Sequence, residues 1–163
     1  FAYTDSCIGA FVDSLKQTAL WENTLLVLMP DHGFCYPRTG FKSAPHVHHI
    51  PVIWTGGAVK QPIKIDKLMN QTDVAATLLA QMNIDHSDFL FSRNVLSDGY
   101  DDRFAFYTFV NGFCYIDSTG TTIYDHTAGK VMQNIGGNEQ TAVRREERGK
   151  AILQTLYDDL DAR

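Results

Sequence analysis

The sequence predicts an α/β protein, and three features of the residue pattern lead to this prediction. Residues 25–29 form an apolar run that is too short for a helix and has the character of a strand buried on both faces, as in a parallel sheet. A helical spacing of apolar residues precedes this run, and a second helical pattern starts near residue 73. After residue 103, short strand patterns lead into a long amphipathic segment. We therefore expect buried, mostly parallel strands, followed by an antiparallel meander and a closing helix.

Composition and charge limit the classes of protein to which the chain can belong. With 163 residues, of which 44% are hydrophobic, the chain can form one domain, or most of one, around a sizeable core. A formal net charge of −5 and the lack of basic clusters argue against a nucleic-acid-binding surface. No apolar run approaches the roughly eighteen residues of a membrane span, and the three cysteines lack the spacing of a zinc ribbon or a disulfide framework.

The first element is predicted to be an amphipathic helix over residues 3–20. Its apolar residues recur at intervals of three and four, which places them on one face and predicts a single buried stripe. Cys7 belongs to this stripe and is expected to be packed. A turn at residues 21–23 then leads into the strand. The stripe consists of Tyr3, Cys7, Ile8, Phe11, Val12 and Leu15.

The carboxyl end of the strand at residues 25–29 carries the strongest candidate site. Pro30 cannot donate to a sheet ladder, so strand pairing is expected to stop before Asp31 and His32. Ligands of α/β sheets bind outside the carboxyl ends of strands, and a carboxylate beside an imidazole can hold one divalent cation if the backbone turns. Gly33 permits such a turn through a positive φ. The alternative is that Asp31 and His32 only cap the next turn.

The loop at residues 34–45 carries two cations that could bind a phosphate or a sulfate. Arg38 can bind such an anion through the bidentate fork of its guanidinium, and Lys42 can bind it as a point charge. Long loops at the carboxyl ends of strands often hold binding residues. The alternative for each cation is ordinary surface charge.

Half of the six histidines in the chain follow this loop, at positions 46, 48 and 49. If the stretch is a strand, His46 and His48 point to one face and His49 points to the other, so that at most two of them can serve one site. A single histidine is usually structural, but we expect at least one member of this cluster to contact a metal or a phosphate. Residues 51–54 form the next predicted strand, with Pro51 at its first position.

The remaining elements are predicted to be structural. Thr72 or Asp73 is a natural N-cap for a helix that continues to Met82. Asn111-Gly112 is the preferred pair for a two-residue type I′ turn between two strands. Charged residues crowd positions 144–148 and are expected to form a solvated helix face. The predicted strands are residues 103–110, 113–117 and 121–124, and the predicted closing helix is residues 140–160.

A series of short motifs follows the order seen in a known enzyme superfamily. The motifs are Tyr3-Thr4-Asp5, Ile8-Gly9-Ala10-Phe11, Leu15-Lys16, Asn23-Thr24, Asp31-His32-Gly33, His49-Ile50-Pro51-Val52-Ile53-Trp54, Gln71-Thr72-Asp73-Val74 and Thr77-Leu78-Leu79. Together they resemble the carboxyl-terminal half of the catalytic domain of the alkaline phosphatase and sulfatase superfamily. Within it, the lipoteichoic acid synthase type of phosphoglycerol transferase is the most similar branch. The resemblance covers residues 2–117, and its order is more specific than any single motif.

The resemblance implies an alkaline-phosphatase-like fold of αβα layers that is only partly present in residues 1–163. These residues would form the carboxyl-terminal portion of the catalytic domain. The chain begins at Phe1 without an initiator Met, so we expect that it is a piece of something longer. In the family, the nucleophilic Thr or Ser lies amino-terminal to this region and has no counterpart here, so that no catalytic nucleophile is assigned. An amino-terminal membrane anchor and an extracytoplasmic location are likewise implied only by the resemblance.

The resemblance also implies the chemistry of the site. Asp31 and His32 would hold one divalent metal ion, and manganese, magnesium, zinc or calcium would each fit such ligands. His46, His48 and His49, with Arg38 and Lys42, would bind an anionic phosphate or sulfate ester. The intact enzyme would transfer a phosphoglycerol-type group or hydrolyse a sulfate ester through its Thr or Ser nucleophile, while this fragment alone would be inactive.

Two alternatives remain at the level of the sequence. The first is a two-metal phosphomutase or phosphodiesterase of the same superfamily, which would bind a second metal ion per chain. The second is a non-catalytic binding or structural domain. Asp31→Ala in the full-length protein separates this second alternative from the enzymes, because a structural role predicts no metal-dependent turnover in either form.

Overall fold

The computed structural model describes residues 1–34 and 41–163, which form two compact units. Of the described chain, the amino-terminal unit contains residues 1–34 and 46–65. The carboxyl-terminal unit contains residues 41–45 and 66–163. Among the described helices, none has the length and hydropathy needed to cross a membrane.

The amino-terminal unit has short elements joined by long connections. Helix α1 is followed by a single 3-10 turn and strand β1, and a four-residue helix, α2, precedes strand β2. The predicted strand at 25–29 is thereby confirmed, though it is shorter than expected, and the second strand lies two residues later than expected. The elements are α1 Ala2–Lys16, the 3-10 turn Trp21–Asn23, β1 Leu26–Leu28, α2 Pro45–His48 and β2 Ile53–Thr55.

Strands β1 and β2 pair antiparallel, with Leu26 opposite Thr55 and Leu28 opposite Ile53. The expected parallel direction is therefore corrected for this pair. A parallel crossover needs a dozen or more residues, usually a helix, whereas the described part of the β1–β2 connection contains only the four-residue α2. The end of β2 also meets the start of β1, since the Ala58 amide donates to the Thr24 carbonyl at 3.2 Å.

Burial in the amino-terminal unit is lower than the sequence predicts. All three residues of β1 are half-buried rather than buried, and α1 has no buried residue. The predicted stripe of α1 lies largely in solvent: Phe11 is 58% exposed, and Cys7, which was expected to be packed, is exposed as well. Helical periodicity identifies an apolar face, but it does not identify what covers that face.

The carboxyl-terminal unit contains a four-stranded antiparallel sheet that is closed by a long helix. The strand order β3-β4-β5-β6 is that of a meander, so the predicted meander and closing helix are confirmed, together with the α/β class. The sequence missed the fourth strand. The elements are α3 Asp73–Gln81, β3 Phe104–Phe109, β4 Gly112–Asp117, β5 Gly120–Asp125, β6 Lys130–Ile135 and α4 Glu139–Asp161.

The β3–β4 turn lies one residue earlier than predicted. Phe109 pairs with Gly112, so that Val110 and Asn111 are the two turn residues. Neither has a positive φ, which a type I′ turn requires at both positions. Gly112 instead lies in the strand, where a Cβ would overlap the carbonyl of Tyr124 on the neighbouring strand. The glycine is therefore used for close approach rather than for turn conformation.

The core of the carboxyl-terminal unit consists of stacked aromatic rings beneath α4. Phe113 and Tyr115 are fully buried, and the rings of Phe113 and Tyr124 stack with centroids 5.4 Å apart. A Cβ on Gly149 of α4 would overlap the Phe113 ring, so this glycine lets the helix approach the sheet closely. The helix starts at a capping box in which Asn138 accepts a hydrogen bond from the Thr141 amide.

One charged residue of α4 departs from the predicted solvated face. Arg145 is fully buried, because it lies on the side of α4 that meets the sheet. Its guanidinium donates to the hydroxyls of Thr122 and Thr119, at 3.0 and 2.6 Å, and to the carbonyl of Gly136 at 3.1 Å. These neutral acceptors replace the water that the guanidinium loses on burial.

Asp73 has the structural role that the sequence predicts, but it acts through a different contact. Its carboxylate is fully buried and accepts from the backbone amide and both sides of the guanidinium of Arg93, with the shortest N···O distance 2.6 Å. It also accepts from the Asn70 amide at 2.7 Å. Thr72 occupies the N-cap position without a side-chain hydrogen bond. The Asp73–Arg93 pair therefore fixes the start of α3 to the segment that leads into the sheet.

Candidate metal site

The chain leaves β1 at Leu28 and presents two polar side chains three and four residues later. Both are open to solvent: the side chain of Asp31 is 87% exposed and that of His32 is 74% exposed. They lie in a bend rather than in a strand or helix, as expected after a proline that cannot continue the ladder. Neither group is covered by apolar neighbours, so both remain accessible to a ligand.

The side chains of Asp31 and His32 face each other. The Oδ2 atom of Asp31 lies 3.6 Å from Nε2 of His32, while Oδ1 accepts a hydrogen bond from the His32 amide at 2.9 Å. On the other side of the ring, Nδ1 lies 2.8 Å from the carbonyl oxygen of Gly33. If Nδ1 carries the proton and donates to this carbonyl, the lone pair of Nε2 is directed away from the backbone contact.

This separation fits one divalent cation. Metal bonds to imidazole nitrogen and carboxylate oxygen are about 2.1 Å, so two such atoms 3.6 Å apart subtend about 120° at a shared ion. That angle is close to tetrahedral and within the range of more flexible coordination. Two protein ligands do not complete a coordination sphere. Within residues 1–34 and 41–163, no cluster of three or more His, Cys, Asp or Glu side chains is found.

Gly33 serves this site through close approach rather than through a positive φ. The expectation of a left-handed turn is corrected, since the φ of Gly33 lies outside the left-handed region. A Cβ on Gly33 would overlap the carbonyl of Val47 and come within 2.9 Å of the Cα of His48. The backbone next to the Asp31–His32 pair therefore lies directly against α2.

Two of the three clustered histidines, His46 and His48, lie on a helix rather than on a strand, and His49 follows the end of this helix. Pro45 begins α2, a position at which its fixed φ favours a helix and its missing N–H costs nothing. His46 and His49 are exposed and His48 is half-buried, while Val47 between them is buried. The alternation expected for a strand does not apply. Because Gly33 contacts Val47 and His48, the backbone of α2 lies next to the Asp31–His32 pair. The described side chains do not form a cluster of three or more metal ligands there.

The structure describes one of the two loop cations. Lys42 is exposed, and Arg38 lies outside the described residues. A role in anion binding therefore stays a prediction for both residues.

Two other Asp-His pairs in the same chain provide a comparison. Asp85 precedes His86, and its carboxylate accepts from the amide and hydroxyl of Ser87 at 3.1 and 2.8 Å. These hydrogen bonds lower the pKa of Asp85, and the bond from the Ser87 hydroxyl has the larger effect. Asp125 precedes His126 and accepts from the Ala128 amide at 2.8 Å.

Both carboxylates therefore cap turns, which was the alternative interpretation of Asp31. Asp31 also accepts one backbone amide, but its second oxygen faces the neighbouring imidazole. The three carboxylates differ in their hydrogen bonds because the backbone that follows each pair differs.

Comparison with known proteins identifies the family and the fold of the chain. The model of the family described as Sulfatase matches residues 1–84, which include the Asp31–His32 pair. The lipoteichoic acid synthase-like protein YvgJ of Bacillus subtilis is 26% identical over 155 residues, an alignment that covers 81% of this chain and 24% of YvgJ. The chain thus spans about a quarter of this curated relative.

A solved structure has the same fold. It is a crystal structure of a protein in the alkaline phosphatase superfamily from Vibrio parahaemolyticus, and it matches with a TM-score of 0.72 at 20% identity. The match covers 96% of this chain and 41% of that protein. With the family model matching more than half of its residues, the chain belongs to the Sulfatase family.

Proposed function

We propose that the protein is part of a metal-dependent enzyme that transfers or hydrolyses a phosphate or sulfate ester, with Asp31 and His32 as ligands of one divalent cation. The observation that carries this proposal is the 3.6 Å separation of Asp31 Oδ2 and His32 Nε2 at the end of β1. Membership of the Sulfatase family supports the reaction class. A phosphoglycerol transferase is the finer form of the proposal, supported by the similarity to YvgJ.

The residues of this chain would bind and orient the cation. A carboxylate supplies negative charge, and a neutral imidazole supplies a nitrogen lone pair. The contact of His32 Nδ1 with the Gly33 carbonyl would set the tautomer in which Nε2 is free to bind. When bound, a divalent cation lowers the pKa of a coordinated hydroxyl and neutralises charge on a transferring phosphoryl or sulfuryl group.

Binding of the anionic ester is assigned in this proposal to the histidines in and directly after α2 and to the loop cations. His48 has the strongest support, because its Cα lies next to Gly33 and hence to the backbone of the metal site. His46 and His49 are exposed and could reach a bound anion. Arg38 and Lys42 would add positive charge. Manganese, magnesium, zinc and calcium remain open for the cation, because none of the described contacts selects among them.

The proposal places the Thr or Ser nucleophile outside residues 1–163. Residues 1–163 would then be the carboxyl-terminal portion of the catalytic domain, and the amino-terminal half would be its partner. We further propose an extracytoplasmic location, with any membrane attachment made through an anchor outside these residues. A nucleic-acid partner is not proposed, given the net charge of −5.

Titration of the chain with Mn²⁺ tests the metal site. The paramagnetic ion broadens the NMR signals of nearby imidazoles, so the His32 ring signals should broaden at the lowest Mn²⁺ concentration. Asp31→Asn should weaken binding at His32 at least about tenfold, because it removes a charged ligand rather than an outer partner.

Asp85→Asn is the matched control, since it makes the same change at an exposed aspartate that also precedes a histidine but caps a turn. It should leave the broadening of His32 unchanged. Equal broadening of His32, His86 and His126, or no effect of Asp31→Asn, would contradict the proposal.

A further inference from the structure

A groove lies between α4 and the carboxyl end of β5, wholly within the carboxyl-terminal unit. Its volume is about 340 Å³, which falls at the lower end of the range of small-molecule sites. The lining residues are Tyr124, His126, Lys150, Leu153, Gln154 and Tyr157. None of these residues belongs to the proposed metal and ester site, so the α4–β5 groove has no role in the function proposed above.

The α4 wall of the groove follows from helical spacing. Lys150, Gln154 and Tyr157 are separated by four and three positions, so they lie on one side of the helix together with Leu153. The Cα atoms of Lys150 and Tyr157 are about 10 Å apart along the helix axis. This wall therefore has a charged end at Lys150, an apolar middle at Leu153 and an aromatic end at Tyr157.

The opposite wall is held in place by aromatic packing. Tyr124 is 8% exposed and stacks on the fully buried Phe113. The imidazole of His126 packs edge-on against Tyr124, with the ring centroids 5.4 Å apart, and lies 5.8 Å from the Phe113 centroid. These ring contacts fix the imidazole without using its nitrogen atoms. His126 therefore brings a positioned donor and acceptor to the groove.

The groove has one ring with an open face, that of Tyr157. This residue is 57% exposed. The face of Tyr124 is taken instead by the ammonium of Lys150, whose Nζ lies 4.4 Å from the ring centroid. A tyrosine ring packs against the apolar groups of a ligand, while its hydroxyl bonds the polar ones. Tyr157 is therefore the stacking surface of the groove.

The charges along the groove compensate each other. Lys150 Nζ donates to Glu146 at 2.6 Å, and this hydrogen bond raises the pKa of Lys150, so that the pair stays ionised. The Gln154 amide nitrogen donates to Asp158 at 2.7 Å and leaves the amide oxygen as an acceptor. An anionic ligand would have to displace Glu146 from Lys150. A neutral ligand with hydroxyl groups can donate to Glu146 and accept from Lys150 while the ion pair stays intact.

We propose that the α4–β5 groove binds a neutral saccharide, with one sugar ring on Tyr157 and its hydroxyls bonded by Gln154, His126 and the Lys150–Glu146 pair. A sugar ring combines apolar C–H faces with hydroxyls, each of which both donates and accepts. A wholly apolar ligand would leave the polar groups of the groove unpaired. The inference goes beyond the proposed function, because it involves neither the metal ligands nor a reaction.

NMR titration of the chain tests the proposal with three neutral probes: glucose, N-acetylglucosamine and maltose. At least one of them should shift the ring signals of Tyr157 and His126 along one saturating curve. The ring signals of Tyr3, which is 83% exposed on α1, should stay unchanged. The absence of a saturating shift with all three probes, or equal shifts of Tyr157 and Tyr3, would overturn the proposal. The samples contain no metal ion, so the result is independent of the Mn²⁺ test.

Two alanine substitutions of exposed tyrosines provide a matched pair. Tyr157→Ala should weaken binding of the responding sugar about tenfold, because the stacking surface is lost. Tyr3→Ala makes the same change on α1 and should leave the affinity unchanged. Both side chains are exposed, so neither substitution opens a cavity in the core. Unchanged affinity in Tyr157→Ala would rule out stacking on this ring and overturn the proposal.

Two glutamine substitutions within α4 test the polar contacts. Gln154→Leu keeps the size of the side chain but removes the amide, and it should weaken sugar binding about threefold or more. Gln140→Leu makes the same change in the first turn of the helix, outside the groove, and should have no effect. Equal affinities of the two variants would contradict the assignment of Gln154.

Glucuronate decides between a neutral and an anionic ligand, because it resembles glucose but carries a carboxylate. It should bind no more tightly than glucose, since Glu146 already occupies Lys150. Tighter binding of glucuronate that is lost in Lys150→Met would overturn the proposal in favour of an anion site.

Discussion

The two units of the chain differ in how completely they are packed. In the carboxyl-terminal unit, strands of six residues enclose a core of fully buried rings, including Phe113 and Tyr115. In the amino-terminal unit, the strands have three residues, and Val47 is the one buried hydrophobic residue among those described. The candidate metal pair, Asp31 and His32, belongs to this second kind of environment.

The well-packed unit and the unit that holds the candidate metal ligands are therefore different parts of the chain. The carboxyl-terminal unit has what an independent fold needs, namely paired strands, a covering helix and buried polar groups with partners. The amino-terminal unit holds its candidate ligands on short elements with few buried contacts. Such regions open locally at a lower free energy than the core of a domain.

The largest expected effect comes from the buried ion pair of the carboxyl-terminal unit. Arg93→Ala leaves the Asp73 carboxylate buried without its guanidinium and should lower the free energy of unfolding by about 3–5 kcal/mol. Urea unfolding followed by near-ultraviolet circular dichroism of the tyrosines measures this. Trp21 and Trp54 both lie in the amino-terminal unit, so their fluorescence follows that unit separately.

Arg163→Ala is the control for this ion pair, because it removes an exposed pair with Asp159 and should cost less than about 1 kcal/mol. If the two arginine substitutions lower the free energy of unfolding equally, the Asp73–Arg93 pair does not contribute more to the stability of the carboxyl-terminal unit than a surface pair does.

A smaller and more direct comparison uses one substitution in the two helices. Gly149→Ala forces a methyl group into the Phe113 ring and should destabilise the carboxyl-terminal unit by about 1–3 kcal/mol. Gly9→Ala adds a methyl group to open space on α1 and should stabilise that helix by up to about 1 kcal/mol. Thermal unfolding of both variants shows whether the melting temperature falls for Gly149→Ala and rises for Gly9→Ala. Destabilisation by Gly9→Ala would show that α1 is covered in a way that the structure does not describe.

The smallest effect is a loss of stability at high pH that is confined to the carboxyl-terminal unit. Burial raises the pKa of Cys114 from its ordinary value of 9.0 to about 11. Between these two values, the unfolded chain releases the thiol proton and the folded chain retains it, so the free energy of unfolding falls as the pH rises. By pH 11, the loss from this group should reach about 2 kcal/mol.

Urea unfolding at pH 8, 9, 10 and 11 measures this loss, and Cys114→Val should flatten the dependence. The tyrosine Tyr100 acts in the same direction, because burial raises its pKa to about 12, and the slope that remains in the variant belongs to such groups. A tryptophan transition that falls with pH as steeply as the tyrosine signal would contradict the separation of the units.

The difference in packing also explains what the sequence could predict. Local sequence patterns are sufficient to predict an element when the contacts that determine it are local. The proline after β1 ends the strand and leaves Asp31 and His32 beyond it. A series of strands joined by short turns likewise forms a meander. Coverage and direction depend on distant contacts. The stripe of α1 was predicted to be buried, and β1–β2 was predicted to be parallel. Both predictions were wrong because a local pattern contains no information about the neighbouring element.

Two further differences come from competing local rules. Pro45 can start a helix as readily as it can end a loop, and here it begins α2, so that His46 and His48 lie on a helix and not on a strand. In α4, the charged run 144–148 contains Arg145 on the side that meets the sheet, where hydroxyls and a carbonyl satisfy its guanidinium. Charge alone predicts solvent, and only the packing of α4 identifies the exception.

Gly33 contributes no side chain, yet it sets the distance between the candidate metal pair and α2. Because it has no side chain, the peptide after the metal pair and the peptide of α2 touch backbone to backbone at Val47. A larger residue at this position would force the two backbone segments apart. The effect of substitutions at Gly33 on metal binding therefore measures how strongly the candidate site depends on this close approach.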